Sequence, residues 1–320
     1  MDPSEGRDVN GFCADWDAAV EADPEIDPFC SRSAWQLSFS EAFSPERTLF
    51  LSGEGGDYVV LAESKDPEDG FGLEPVENMW GLGSSLIGSG AAEHLVAELR
   101  HRPRPTLLMG VPLNPQRLSP LQEGLGEHFL LQAGLPSTRW TASLEGGFEG
   151  WLSRRSASFR RNLRASERRS QTEKIRFRWF SDISESGTTE IYRSILDVES
   201  RSWKAEEGVG VDQGPMEAFY KRLLPRVARA GHLRVLLAEW EGETVGYLHG
   251  AHIGSHFRGL QFSFDARFSR VGLGNLLQNE ALKHLSLAGA ATYDLGSQNE
   301  YKEHWSEEGL TTCAVWIQPT

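Results

Sequence analysis

Two glycines one residue apart, Gly272 and Gly274, sit in the run Ser269-Arg270-Val271-Gly272-Leu273-Gly274-Asn275, directly ahead of an amphipathic stretch. A glycine loop that opens a helix converges backbone N–H groups on one point, which is how backbone receives phosphate. Arg270 adds a cation to this loop, and Phe264 stands just upstream. Gly-x-Gly alone is weak; following three strand-like runs and preceding a helix, it becomes a candidate anion cradle. Titratable residues gather on either side. His249 and His252 lie three apart on one strand-like run, so they face opposite ways and at most one lines a site. Asp294 interrupts the apolar run Thr292–Leu295, where a carboxylate either takes backbone hydrogen bonds or works in a cleft. Asp265 closes another strand and either orients a ligand or caps the turn. Glu199 ends a helical run and is followed by Trp203 and Lys204.

Charge points the same way. The chain of 320 residues carries a net −14 at pH 7, which argues against general nucleic-acid binding because a polyanion is repelled at long range. Residues 151–180 nonetheless hold ten lysines and arginines against Glu167 and Glu173, so the remainder carries −22. An acidic protein with one basic segment has one place for an anion. Within that segment Arg160, Arg161 and Arg164 are the candidate dock; the alternative is a solvated face. Cys13, Cys30 and Cys313 have no metal-binding or disulfide spacing and read as reduced thiols. No export signal or spanning run of about 20 apolar residues is visible, so a cytoplasmic location without a membrane span is expected.

These residues need elements to hold them. In the first part, Trp16–Val20, Ser33–Phe43 and Ala91–Arg100 read as helices. Thr48–Ser52 and Asp57–Ala62 read as strands around a glycine turn, and Thr106–Val111 as a buried strand before a Pro/Asn loop. Trp151–Gln171 reads as one basic helix with a thin apolar stripe, lying across a surface and joining two halves. Beyond it Ile175–Trp179 alternates as a strand, and Thr188–Trp203 and Pro215–Ala230 are helical. Leu233–Trp240, Thr244–Ile253 and Phe257–Phe264 form an antiparallel meander with tight Gly-containing links. The glycine loop, a helix Asn275–Leu287, a strand Thr292–Gly296, a helical turn Glu300–Trp305 and a strand Thr311–Ile317 complete an order β-α-α-β-β-β-loop-α-β-α-β. The fold class is α/β with a mixed sheet, divided as 1–150, a basic linking helix 151–172, and 173–320.

That order, with SFRRNLRASERR (Ser158–Arg169), ESRSWK (Glu199–Lys204), FSFDARFSRVGLGNLL (Phe262–Leu277) and YDLGSQNEYKEHW (Tyr293–Trp305), resembles the GNAT superfamily in its FemAB-like, CelD-type branch. The resemblance is good over 150–320 and weak over 1–150, where PFCSRSAW (Pro28–Trp35) is similar to the start of the first half in such proteins. It implies two GNAT-like domains in tandem, the first degenerate. In the second, the loop 270–275 and Phe264 would bind an acyl-CoA or phosphopantetheine-linked donor with no metal. The strand before the loop would hold the pantetheine arm and polarise the thioester. The family loop begins with Gln or Arg where this chain has Ser269, the arginine following at Arg270, so fewer phosphates are matched.

The implied activity is N-acyl transfer to an amine of a small molecule, sugar or peptide. A base must deprotonate the acceptor, and His249, His252, Glu199 and Asp294 are the candidates; Asp265 would orient the amine. Tyr301 lies where GNAT enzymes place a tyrosine that returns a proton to the thiolate, and Glu199, Trp203 and Lys204 would border the acceptor. The basic helix suits CoA phosphates, an acidic acyl-carrier protein, or tRNA as in the peptidoglycan-building FemAB enzymes; the −22 elsewhere opposes tRNA. Two other readings remain open, an aminoacyl-tRNA-dependent peptidyl transferase and a non-catalytic GNAT-like binding module.

Overall fold

A computed structural model describes residues 9–66, 70–202, 204, 211, 213–297 and 300–320. The chain divides into two compact units, one of residues 1–138 with 310–320 and one of residues 139–309.

The first unit begins with helices α1 (Val9–Ala22) and α2 (Ser33–Phe43) and a hairpin of β1 (Leu49–Glu54) and β2 (Asp57–Asp66). Gly55 and Gly56 form the two-residue link at φ +65° and +99°, conformations that glycine adopts without a Cβ penalty. β3 (Gly70–Pro75), β4 (Leu86–Ile87), α3 (Ala91–His101) and β5 (Thr106–Pro112) follow. The Pro/Asn loop expected after β5 is instead α4 (Pro115–Leu125), because Asn114 caps it, accepting the Arg117 N–H at 2.9 Å, and Pro115 presets its first turn. β6 (Phe129–Ala133) is added, and the end of the chain's last strand returns here: Thr312–Ile317 pair antiparallel with Thr106–Pro112. The sheet order is β1-β2-β3-β5 and then the last strand. Leu95, Leu99, Leu108 and Ile317, all fully buried, anchor its core.

The second unit runs from Arg139, inside strand β7 (Ser137–Ser143), through α5 (Gly147–Ser153), α6 (Ala157–Thr172), β8 (Arg176–Phe180) and α7 (Thr188–Glu199). It continues with α8 (Gly214–Arg229) and the expected meander of β9 (Leu233–Trp240), β10 (Glu243–Ile253) and β11 (His256–Phe264). α9 (Leu273–Leu287), β12 (Thr292–Ser297), α10 (Glu300–Glu303) and the start of β13 (Glu307–Pro319) close it. The strand order is β7-β12-β11-β10-β9-β8. One face of the meander buries Leu248, Phe257 and Val245 with Leu273, Leu276, Leu277 and Leu285 of α9.

Two boundaries differ from the sequence reading. The basic segment is two helices, since Ser156 caps a fresh start by accepting the Phe159 N–H. It also lies within the second unit rather than linking two halves: Leu163, Ser166 and Ser170 are buried, and Glu167 accepts from Asn279 and Lys283 of α9 at 3.0 Å each. The unit boundaries fall at 138/139 and 309/310, and the last strand from Leu310 onward belongs to the first unit, because the register partners of residues 312–319 are β5 and β6.

Candidate active site

Strands β11 and β12 run parallel for three pairs, His256–Arg258 against Thr292–Asp294, and no further. At Gly250 the β10–β11 register slips: Gly250 pairs with Gly259 and His249 with Gln261, leaving Leu260 as an extra residue. A bulge of this kind re-aims the strand beyond it. A cavity of about 720 Å³ opens there, with Lys204, Gln261 and Ser263 on its wall together with Phe262, Gly274 and Tyr301. Alternation along β11 places Gln261 and Ser263 on the face away from α9, and Phe262 and Phe264 on the α9 face.

The glycine loop meets this cavity through Gly272, Gly274 and Asn275. Gly272 caps α9 in the left-handed region, φ +79°. The first bond of the helix is Leu276 N–H to Gly272 O, so the N–H groups of Leu273, Gly274 and Asn275 precede the ladder. A Cβ at Gly274 would fall 2.7 Å from the Phe264 ring, so glycine lets the helix start touch the strand. Leu273 and Val271 are buried and anchor the loop, while Arg270 is exposed.

Tyr301 reaches the cavity from α10. It stacks on Phe262 at 6.2 Å and packs at 6.0 Å from Trp305, whose carbonyl accepts from Trp151 Nε1 at 2.8 Å. Burial, and then Tyr293, raise its phenol pKa, so it stays protonated. Lys302 beside it donates to Ser297 O at 2.8 Å; burial first, then Arg258, lower it to about 8. Lys204 donates to Phe262 O at 2.9 Å and Gln261 Oε1 at 3.1 Å, with Glu199 Oε1 at 3.5 Å. Burial lowers the Lys204 pKa while Glu199 opposes this. Glu199 is fully buried; its Oε1 accepts from Tyr247 at 2.5 Å, and burial followed by Glu199 raises that phenol well above its ordinary value.

Three expected catalytic groups are held elsewhere. His249 is 1% exposed, stacked on Tyr247 at 5.8 Å, and neither ring nitrogen has a partner among the described residues. Burial, then Lys204, push its pKa to about 3, so it is a neutral packed ring, off the cavity wall. Asp265 caps the turn at 266–271, accepting from Arg267 N, and pairs with Arg267 at 2.8 Å and Arg201 at 3.0 Å. Burial works to raise its pKa, but Arg267 holds it below the usual range. Asp294 is bound by Arg258 at 2.8 Å, Arg139 at 3.1 Å and the Gly296 N–H at 2.6 Å. Against burial, the two guanidiniums keep it ionised and engaged. Neither carboxylate is free to take a proton. His252, half-buried on the same strand as His249, also has its pKa lowered by burial.

Of the anion dock, Arg160 is committed to the carbonyls of Ser153 and Arg155, while Arg161 and Arg164 are exposed. Trp203 lies outside the described residues. Gln278 and Tyr293, joined by a 2.7 Å hydrogen bond, also line the cavity and were not singled out from sequence. Tyr247 was missed as well, although period-two alternation puts it on the same face as His249. Among the described residues no group of three His, Cys, Asp or Glu could hold a metal ion, and no helix is long and apolar enough to cross a membrane.

Residues 157–303 match the acetyltransferase (GNAT) domain family, so this segment is a GNAT domain and the protein is an acyltransferase. No curated protein matches the chain in sequence. Among solved structures, a conserved protein of unknown function from Bacteroides thetaiotaomicron is 13% identical over 96% of this chain and 97% of that one, with a TM-score of 0.62. FemX is 11% identical over 94% and 95%, also at 0.62. The C-terminal domain of a putative lysylphosphatidylglycerol synthetase from Agrobacterium fabrum is 12% identical over 97% and 93%, at 0.58. At such identities the shared property is the fold alone.

Proposed function

We propose that the protein transfers an acyl group from a thioester of CoA, or of carrier-linked phosphopantetheine, to an amine of a small molecule, sugar or peptide. The observation that carries this is the continuity of the β11–β12 cavity with the open amides at the start of α9. The amides suit the donor's phosphate, and the gap between the strands suits its extended arm. The amine nitrogen attacks the thioester carbonyl carbon, the C–S bond breaks, and the leaving sulfur takes a proton from the Tyr301 phenol. With His249, Asp265 and Asp294 unavailable, Lys302 fits the base: it lines the cavity and is partly neutral near pH 8. Catalysis is mainly alignment of the two reactants. An aqueous thioester donor agrees with a cytoplasmic location.

The test is thiol release from an acyl-CoA and acyl-phosphopantetheine panel, with amines varied. Turnover that falls at least about 100-fold in Gly274→Val, whose side chain enters Phe264, is expected. No amine-dependent release from any thioester would sink the reading. Transfer from aminoacyl-tRNA alone would move the protein to the peptidyl-transferase alternative.

A further inference from the structure

Lys204 has no part in the proton transfers above, yet it sits at the edge of β11 where the cavity opens. The Asp265 N–H bonds Val245 O at 2.9 Å, and the register of Tyr247 with Ser263 continues the same pairing. Antiparallel strands bond at every second residue, so Ser263 turns its N–H and C=O towards β10 while Phe262 turns both of its own the other way. On that side β12 pairs no further than Asp294 opposite Arg258, so the Phe262 groups look into the gap. Lys204 Nζ donates to Phe262 O at 2.9 Å and to Gln261 Oε1 at 3.1 Å. The N–H of Phe262 lies on the same edge as that carbonyl, beside the ammonium.

The chain leading to Lys204 is tied down. Arg201 O accepts the Ala266 N–H at 3.2 Å, and Arg201 Nη2 donates to Thr244 O at 2.7 Å. Glu199, fully buried, stands behind the ammonium at 3.5 Å and is itself held by the Tyr247 hydroxyl at 2.5 Å. A neutral donor would satisfy Phe262 O without the desolvation that a buried ion pair costs. What the pair adds is a fixed positive charge at a backbone N–H that faces the gap.

We propose that Lys204 is a positioning residue for the donor's thioester: it fixes Phe262 beyond the bulge and sets a positive charge beside the N–H that receives the thioester carbonyl. This rests on the thioester reading above. As the amine nitrogen bonds to the carbonyl carbon, the carbonyl π pair moves onto oxygen. The ammonium stabilises that charged oxygen more than it stabilises the neutral thioester. Lys204 keeps its proton throughout, and C–S cleavage restores the carbonyl. Its contribution therefore falls on the barrier and not on donor binding.

The Glu199→Leu, Lys204→Met double variant tests this, because it removes the charge without leaving either partner unpaired. A second double variant, Glu199→Gln, Lys204→Gln, keeps hydrogen-bonding groups at both positions and serves if the apolar pair folds poorly. With the thioester and amine that the panel turns over fastest, kcat for thiol release should fall about 100-fold in either variant. The donor KM should stay within about 3-fold of wild type. Infrared difference spectra of that thioester, isotope-labelled at the carbonyl carbon and bound without acceptor, give a readout that a merely structural role would not move. The carbonyl stretch should be lower in the wild type than in either variant. A folded variant with kcat within about 3-fold of wild type, a loss confined to KM, or an unchanged stretch overturns the assignment and leaves the thioester reading standing. If the wild type releases thiol from no thioester, both fall.

Discussion

Lys302 and Tyr301 are adjacent in sequence yet burial moves them in useful opposite senses, the phenol staying protonated and the ammonium becoming easy to deprotonate. A base with a pKa of about 8 is active above that pH, so kcat/KM should rise through about pH 8 and level off. Lys302→Arg keeps the charge and cannot deprotonate; it should lower the rate about 100-fold and abolish that inflection. A retained inflection would show that the acceptor's own amine is titrating. Glu199 makes a different kind of prediction, one of stability. It is the buried counter-charge of Lys204, and its removal leaves an ammonium unpaired in the interior. Glu199→Ala should cost roughly 3 kcal/mol by denaturant unfolding. The Glu199→Leu, Lys204→Met double variant should recover much of that loss. The sequence offered Glu199 and Lys204 together, but not that they pair with each other. It offered His249, Asp265 and Asp294 for what such residues can do, whereas their ring stacking and arginine partners are set by residues far along the chain.

At the scale of elements, the meander, the glycine loop and α9 were legible because short-range patterns determine them: period-two alternation, tight turns, a glycine pair before an apolar stripe. The break between α5 and α6 was not, since an arginine-rich stripe runs through both; only the Ser156 cap marks it. α4 was hidden by two prolines, although Asn114 and Pro115 are a helix start in themselves. α5 also shows how an element outside the cavity holds one of its residues. Trp151 is fully buried, stacks on Trp305 at 5.6 Å and donates to its carbonyl, and Trp305 in turn packs on Tyr301. Trp151→Ala should destabilise the second unit by roughly 3–5 kcal/mol. Trp151→Phe, which keeps most of the stacking and loses the hydrogen bond, should cost about 1–2 kcal/mol in denaturant midpoint. Equal losses for the two would mean that the indole's bulk contributes nothing.

For the whole molecule, the last strand carries the clearest limit on reading by sequence order. Thr312–Ile317 look like the end of the second half and instead pair with Thr106–Pro112, about 200 residues earlier; no local pattern encodes a partner at that separation. The charge distribution was legible in the sequence, but not that α6 packs beside the loop at Gly272. The central claim is that the donor lies in the β11–β12 cavity with its phosphates on the start of α9. Hydrogen–deuterium exchange with and without saturating acyl-CoA addresses it directly. Slowed exchange concentrated in peptides covering 259–264 and 272–276 is the predicted result. Bound acyl-CoA with those two segments unchanged, and protection found elsewhere, would contradict it.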